Sequence, residues 1–222
     1  MTKLTILIVV LFGLALGYLS SKKQKVEIPK VPLPEPGRGI MTLLLSENEE
    51  QIGEWEADNK IYKELNADVE TIKANTVDEL INNISTKKPA IVHLVTKVTS
   101  EGQLTDKAAN KLSLQKLMTT AEQSGTQLLI FASETKPDLL SGKIPKDLRS
   151  LNYMIIIERN KHYPTFLKGI MTQLPTKSFA MAYVELAPQH ESAQQGKPLP
   201  ASLAVCPRQD AKSIVLWTEA QP

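Results

Sequence analysis

The chain is poor in cysteine, histidine and aromatics, and each shortage removes a class of function. A lone Cys206 among 222 residues excludes an internal disulfide framework. His93, His162 and His190 lie far apart with no Cys/His spacing around them, so no zinc centre is expected. Aromatics make up 5% of the chain, too few for a base-stacking or sugar-binding platform. Charge of one sign is also missing. Twenty-six Lys and Arg oppose 24 Asp and Glu, and the basic residues are scattered, so nucleic acid is not an expected partner. No repeat of solenoid period occurs, and nothing in the composition calls for a metal or a cofactor.

One long apolar run is present. Leu4 to Leu19 (LTILIVVLFGLALGYL) carries no charge over 16 residues, close to the roughly 17–25 that a spanning helix needs. Lys22, Lys23 and Lys25 follow it and outweigh Lys3 with the α-amine. The positive-inside tendency therefore predicts a single-pass anchor over residues 1–21, with the rest of the chain in the cytoplasm. The competing reading is a cleaved signal peptide that exports the protein, because Ala15-Leu16-Gly17 places small residues at cleavage spacing. Residues 22–38 include VEIPKVPLPEPGR, with prolines at 29, 32, 34 and 36. This spacing favours an extended, semi-rigid linker.

Residues 39–222 are enough for one domain with a sizeable core. Strand-like runs alternate with helical patterns there. The runs are Ile40–Leu45, Val69–Lys73, Ala90–Val95, Leu128–Ala132 and Tyr153–Ile157, with a last strand expected at Ile214–Trp217. Helices are expected over 47–66, with Ile52, Trp55, Ile61, Tyr62 and Leu65 as an apolar face, over 77–84 behind Thr76 and Glu79 as a capping box, and after Ser113. Two more are expected, from Pro164 to about Leu174 and from Ser178 to Leu186. Residues 97–111 read as a polar excursion or small hairpin. The alternation predicts an α/β domain, a mainly parallel sheet with helices on both faces.

In such sheets chemistry gathers beyond the carboxyl ends of the strands. Two of these ends carry Lys97 and Ser133, with neither histidine nor cysteine beside them. Glu47, Glu49 and Glu50 are read as first-turn carboxylates favoured by the helix dipole. Trp55 and Tyr62 are read as core packing.

Three stretches, IVHLVTKV (91–98), EGQLTDKAANKLSLQKL (101–117) and LLIFASET (128–135), stand in the order and spacing of the CHAT family. These are caspase-like domains of the clan that includes caspases and separase. Residues 152–186 resemble that family's last strand and the two helices after it, so the resemblance covers roughly residues 39–188. In the family, a strand ends in V-H-F-x-x-H-G, whose second histidine is catalytic, and the next ends in (N/S)-A-C, which supplies the nucleophile. Here His93 takes the first, non-catalytic histidine and Lys97 falls at the catalytic one. Val98 replaces the glycine, and Ser133 falls at the nucleophilic cysteine.

The resemblance implies a caspase-like sheet without the cysteine–histidine dyad: a pseudoenzyme with no catalytic residue expected. Lys97 and Ser133 would mark the degenerate positions, and His93 would be a core or supporting histidine. The expected role is a membrane-anchored scaffold or sensor that binds a protein or peptide, its oligomeric state open. Two other classes stand beside it. One is an unorthodox serine hydrolase using Ser133 with Lys97 or His93, which requires a base within about 3 Å of the hydroxyl. The other is a structural, envelope-associated α/β protein whose likeness to CHAT is accidental.

Overall fold

Nearly continuous apolar runs bury both faces of a strand, and four form strands here: IMTLL, IVHLV, LLIFA and NYMII. A computed structural model describes residues 33–135, 137–157, 159–188 and 201–205. The apolar segment Leu4–Leu19, the Lys22–Lys25 cluster, His190, Cys206 and the strand expected at Ile214–Trp217 lie outside the described residues. Among the described residues, no helix is long and apolar enough to cross a membrane.

The four runs form β1 (Ile40–Leu44), β3 (Ile91–Val95), β6 (Leu128–Ala132) and β7 (Asn152–Ile156). With β2 (Val69–Lys73) and β8 (Ala201–Val205) they make one sheet in the order β2-β1-β3-β6-β7-β8. The first five strands are parallel, and β8 runs antiparallel to β7. The architecture is α/β, as the alternating pattern predicted. β8 occupies 201–205, a short apolar stretch (ASLAV) that was not expected as a strand because of its proline-flanked setting.

The helices are α1 (Glu49–Glu64), α2 (Val77–Lys87), α3 (Leu114–Gln123), α4 (Pro137–Ser141), α5 (Tyr163–Gln173) and α6 (Phe179–Leu186). Short polar side chains start several of them. Asn48, Thr76, Ser113 and Ser178 accept from the backbone N–H of Glu50, Glu79, Lys116 and Met181. Asn48 thus begins α1, and Glu47 stands outside the first turn, where the sequence reading had placed it. The Thr76 box also closes differently, because the Glu79 carboxylate accepts from the backbone of Asn75 at 2.8 Å, one residue before the cap. Five-residue α4 was not expected, being too short to show a period.

Strand alternation divides the core in two. Met41, Leu43, Val92, Leu94, Leu129 and Phe131 point to the face covered by α2 and α3. Ile40, Ile91, Leu128, Ile130 and Met154 point to the face covered by α1, α5 and α6. Each such side chain contributes about 1.5–3 kcal/mol by leaving water. The 97–111 excursion is a hairpin, β4 (Gln103–Thr105) with β5 (Lys111–Ser113). Asp106 binds it to α2, accepting from the N–H of Val77 at 3.1 Å and from Asn110.

The chain enters this body at the amino edge of the sheet. The compact unit begins at Leu33, so the last residues of the proline-rich linker, expected to run through 38, belong to it. Gly37 N–H donates to Gly125 O at 2.8 Å and Arg38 N–H to Lys88 O at 3.1 Å, just ahead of β6 and β3. Gly125 has φ +84°, and a Cβ there would lie 2.1 Å from the Glu35 carbonyl oxygen. Gly125→Ala therefore combines a left-handed backbone penalty with a clash against the entering chain. It is expected to lower Tm by about 2–8 °C and to speed proteolytic cleavage around Glu35, both read in one thermal and limited-proteolysis experiment.

Candidate functional site

Strands β2 and β3 flank β1 on opposite sides, so the connections diverge at the carboxyl ends of β1 and β3. A crevice is expected at such a switch point. A cavity of about 370 Å³ lies there, its walls including Ser46, Lys73, Thr96, Lys97, Asp106 and Lys107. A second, of about 210 Å³, sits at the ends of β6 and β7 and includes Glu54, Ser133, Ile157 and Arg159. Both are lined by Gln51, Lys97 and Glu134, so they form one polar groove along the carboxyl edge.

Lys97 and Ser133 do lie on neighbouring strands, since β3 pairs with β6. Their side chains are engaged elsewhere. The Lys97 ammonium is 3.2 Å from the Glu134 carboxylate, and both side chains are half-exposed. The Ser133 hydroxyl is engaged by Thr135, accepting from its N–H and donating to its C=O, each at 3.1 Å. The Ser133 N–H holds Ile156 O, and Glu134 N–H holds Val98 O, which knits the three strand ends together. Val98 is fully buried. Among the described residues no base reaches Ser133 Oγ, and the nearby lysine is solvated and ion-paired. A serine needs an adjacent base to become a nucleophile.

On the far side of the groove Lys107 pairs with Glu47 at 2.8 Å, linking the hairpin to the approach of α1. The hydrogen bond and charge of Lys107, with a smaller contribution from Lys73, hold the Glu47 carboxyl below the usual range. Exposed pairs of this kind are screened by solvent and exchange readily for a ligand's charges.

Beneath the second cavity lies a feature the sequence did not reveal. His93 points from β3 into the α1/α5 face and is completely buried. Both ring nitrogens are engaged: Nδ1 with the Tyr62 hydroxyl at 2.5 Å, Nε2 with the Asp58 carboxylate at 3.2 Å and the Tyr163 hydroxyl at 3.3 Å. One arrangement satisfies every group. Tyr62 O–H donates to Nδ1, Nε2–H donates to Asp58, and Tyr163 O–H donates to Asp58 at 3.4 Å. Arg159 Nη1 donates to the same carboxylate oxygen at 2.7 Å, and the guanidinium lies 4.7 Å from the centre of the Tyr163 ring. Beside this cluster Thr42 donates to Asn59 at 2.6 Å.

Burial and the neighbouring Arg159 cation push the His93 imidazole well below its ordinary value, so it is neutral. Burial raises Asp58 to about 6 against the pull of Arg159, and it is ionised at neutral pH. Burial also lifts both phenols, Tyr62 and Tyr163.

The sequence reading had His93 as a core histidine needing one partner and Tyr62 as packing. Asp58, Tyr163 and Arg159 went unnoticed. A signal did exist on α1. Gln51, Asp58 and Tyr62 are spaced to share one helical face, and all three are buried. That face opposes Thr42 and His93, so it is polar where an apolar stripe was expected.

The two shifts have opposite consequences for stability. Between about pH 6 and 4 the unfolded chain holds an extra proton on His93 and the folded chain holds one on Asp58. Their effects cancel. Asp58→Asn removes the folded-state uptake, so its stability relative to wild type should fall with decreasing pH across this window by about 1.4 kcal/mol per unit. Denaturant titrations at several pH values measure it. Arg159→Met alone leaves Asp58 buried without its cation and should cost about 3–5 kcal/mol, most of it recovered in the Asp58→Leu/Arg159→Met double variant. No protein-family model matches the chain, and no curated protein matches it.

Proposed function

We propose that this chain is a membrane-anchored, non-catalytic domain of CHAT-like, caspase-like type. It binds a peptide or an extended segment of a partner protein in the groove along the carboxyl edge of its sheet. One observation carries the reading: the two strand ends that would present a nucleophile and its base carry Ser133 and Lys97, each engaged with a local partner. The groove remains although the reactive pair does not. Its size suits a ligand of several residues or a small polar molecule. Its wall carries cations and anions in near balance, matching a polar peptide better than a nucleic acid. The adjacency of β3 and β6 supports the caspase-like assignment, because the resemblance requires those two strand ends to face one cleft. Gly37 and Arg38 are bonded at the amino edge, the end opposite the groove.

A panel of immobilised peptides probed with the full-length chain tests the binding role. Charge reversal by Lys97→Glu with Lys107→Glu is expected to weaken captured peptides at least about tenfold, a loss of about 1.4 kcal/mol or more. Equal binding by wild type and the double variant would remove the groove from consideration. The serine-hydrolase alternative is tested separately: a fluorophosphonate probe is expected to leave wild-type Ser133 unlabelled. Labelling that disappears in Ser133→Ala would reinstate an enzyme.

A further inference from the structure

Arg159 is the one residue shared by the buried network and the groove, and its bonding is incomplete. Nη1 is tied to Asp58, while Nε and Nη2 are buried without a hydrogen-bond acceptor. The nearest additional anion is Glu54, whose carboxylate lies 3.4 Å from Nε and is partly exposed at the cavity wall. The guanidinium is thus held between an inner carboxylate that is 2% exposed and an outer one that is 29% exposed. We propose that the Asp58–His93 pair is a proton-operated latch on Arg159, which turns outward into the carboxyl-edge groove when the pair takes up one proton.

The charges around the latch give the direction of movement. From α1 come Glu54, Asp58 and Tyr62, from β3 His93, from α5 Tyr163, and from the segment after β7 Arg159 itself. Lys97 and Glu134, paired with each other, line the groove side. If the proton settles on Asp58, the short inner bond to Nη1 loses its charge, and Glu54 becomes the anion paired with Arg159 among the described residues. If it settles on His93, two cations face one buried carboxylate. A coupled pair titrates as a unit, and both microstates push Arg159 the same way, since an uncompensated buried charge is strongly disfavoured. The movable member is the one with two donors that lack a hydrogen-bond acceptor and a position at the rim.

The burial that lifts Asp58 to about 6 places the event in mildly acidic conditions. Released, Arg159 joins Lys97 on the groove wall and makes it more cationic, favouring ligands with carboxylates. That consequence rests on the binding role proposed above. The latch itself does not.

The test is therefore made without ligand. The full-length chain is treated with the arginine reagent phenylglyoxal at about pH 7.5 and about pH 5, and the modification of Arg159 is read by peptide mass spectrometry. Exposed Arg38 and Arg149 in the same chain serve as internal references for the reagent's own pH dependence. The Arg159-to-Arg149 ratio is expected to rise about tenfold on acidification. Asp58→Asn is expected to give a high ratio at both pH values. Glu54→Gln, at the partly exposed rim, removes a repulsion that favours Asp58 protonation and moves the rise to lower pH. Wild-type ratios within twofold of each other overturn the latch. So does a pH response that persists in Asp58→Asn, or, should that variant not fold, one that is unshifted in Glu54→Gln. A groove that binds no peptide, with the ratio still rising, would dismiss the binding role and leave the latch standing.

Discussion

A single carboxylate at the centre of one sheet face sets the terms for everything packed on that face. Asp58 is 2% exposed, and a charge so placed survives only if donors surround it. It has three, and they come from separate parts of the chain: His93 on β3, Tyr163 on α5, and Arg159 after β7. Tyr62 extends the chain of bonds back to α1 through the other His93 nitrogen. The helices α1 and α5 are thus held to the sheet by directional bonds as well as by apolar contact. Buried polar networks of this kind favour one arrangement of their elements over alternatives of similar hydrophobic burial.

Among the described residues the opposite face has no comparable buried ion pair. Under α2 and α3 the contacts are Leu, Ile, Val, Met and Phe, and the polar work is done at the periphery. There Glu122 gathers the backbone N–H groups of Arg149, Ser150 and Leu151 and so aims the chain into β7. The two faces divide the labour. One supplies non-directional burial; the other carries a buried ion pair whose net energetic value is small and whose value lies in placing specific groups. Those groups lead outward through Arg159 to the carboxyl edge, where α/β sheets concentrate their binding sites.

At the carboxyl edge the side chains that end β3 and β6 are tied to local partners. A hydroxyl has to be both free and next to a base before it can attack. The Ser133 hydroxyl is bonded to the backbone of Thr135 in both directions, and Lys97, half-exposed, is paired with Glu134. Neither arrangement disturbs the strands beneath, because the bonds are local to the edge. Binding tolerates this, since a polar groove requires shape and exchangeable charge pairs, not an activated nucleophile.

Much of the architecture was legible in the amino-acid order. Runs such as IVHLV and LLIFA declare strands buried on both sides, and Thr76 and Ser113 mark helix starts with bonds that span only three residues. These features depend on neighbours in sequence, so the sequence determines them, and with them the parallel α/β class. The strand at 201–205 was missed because its flanks resemble loop, and α4 because five residues show no period. The polar centre was beyond reach for a different reason. Asp58 and Arg159 are 101 positions apart, and each alone reads as an ordinary surface residue. Only when the sheet brings β3 between them, with α1 laid across it, do they meet His93 away from water. Which charges are buried, which are paired, and which of them touches the groove are decided by tertiary structure, because the strength of an electrostatic contact depends on the distance and the medium that folding alone supplies.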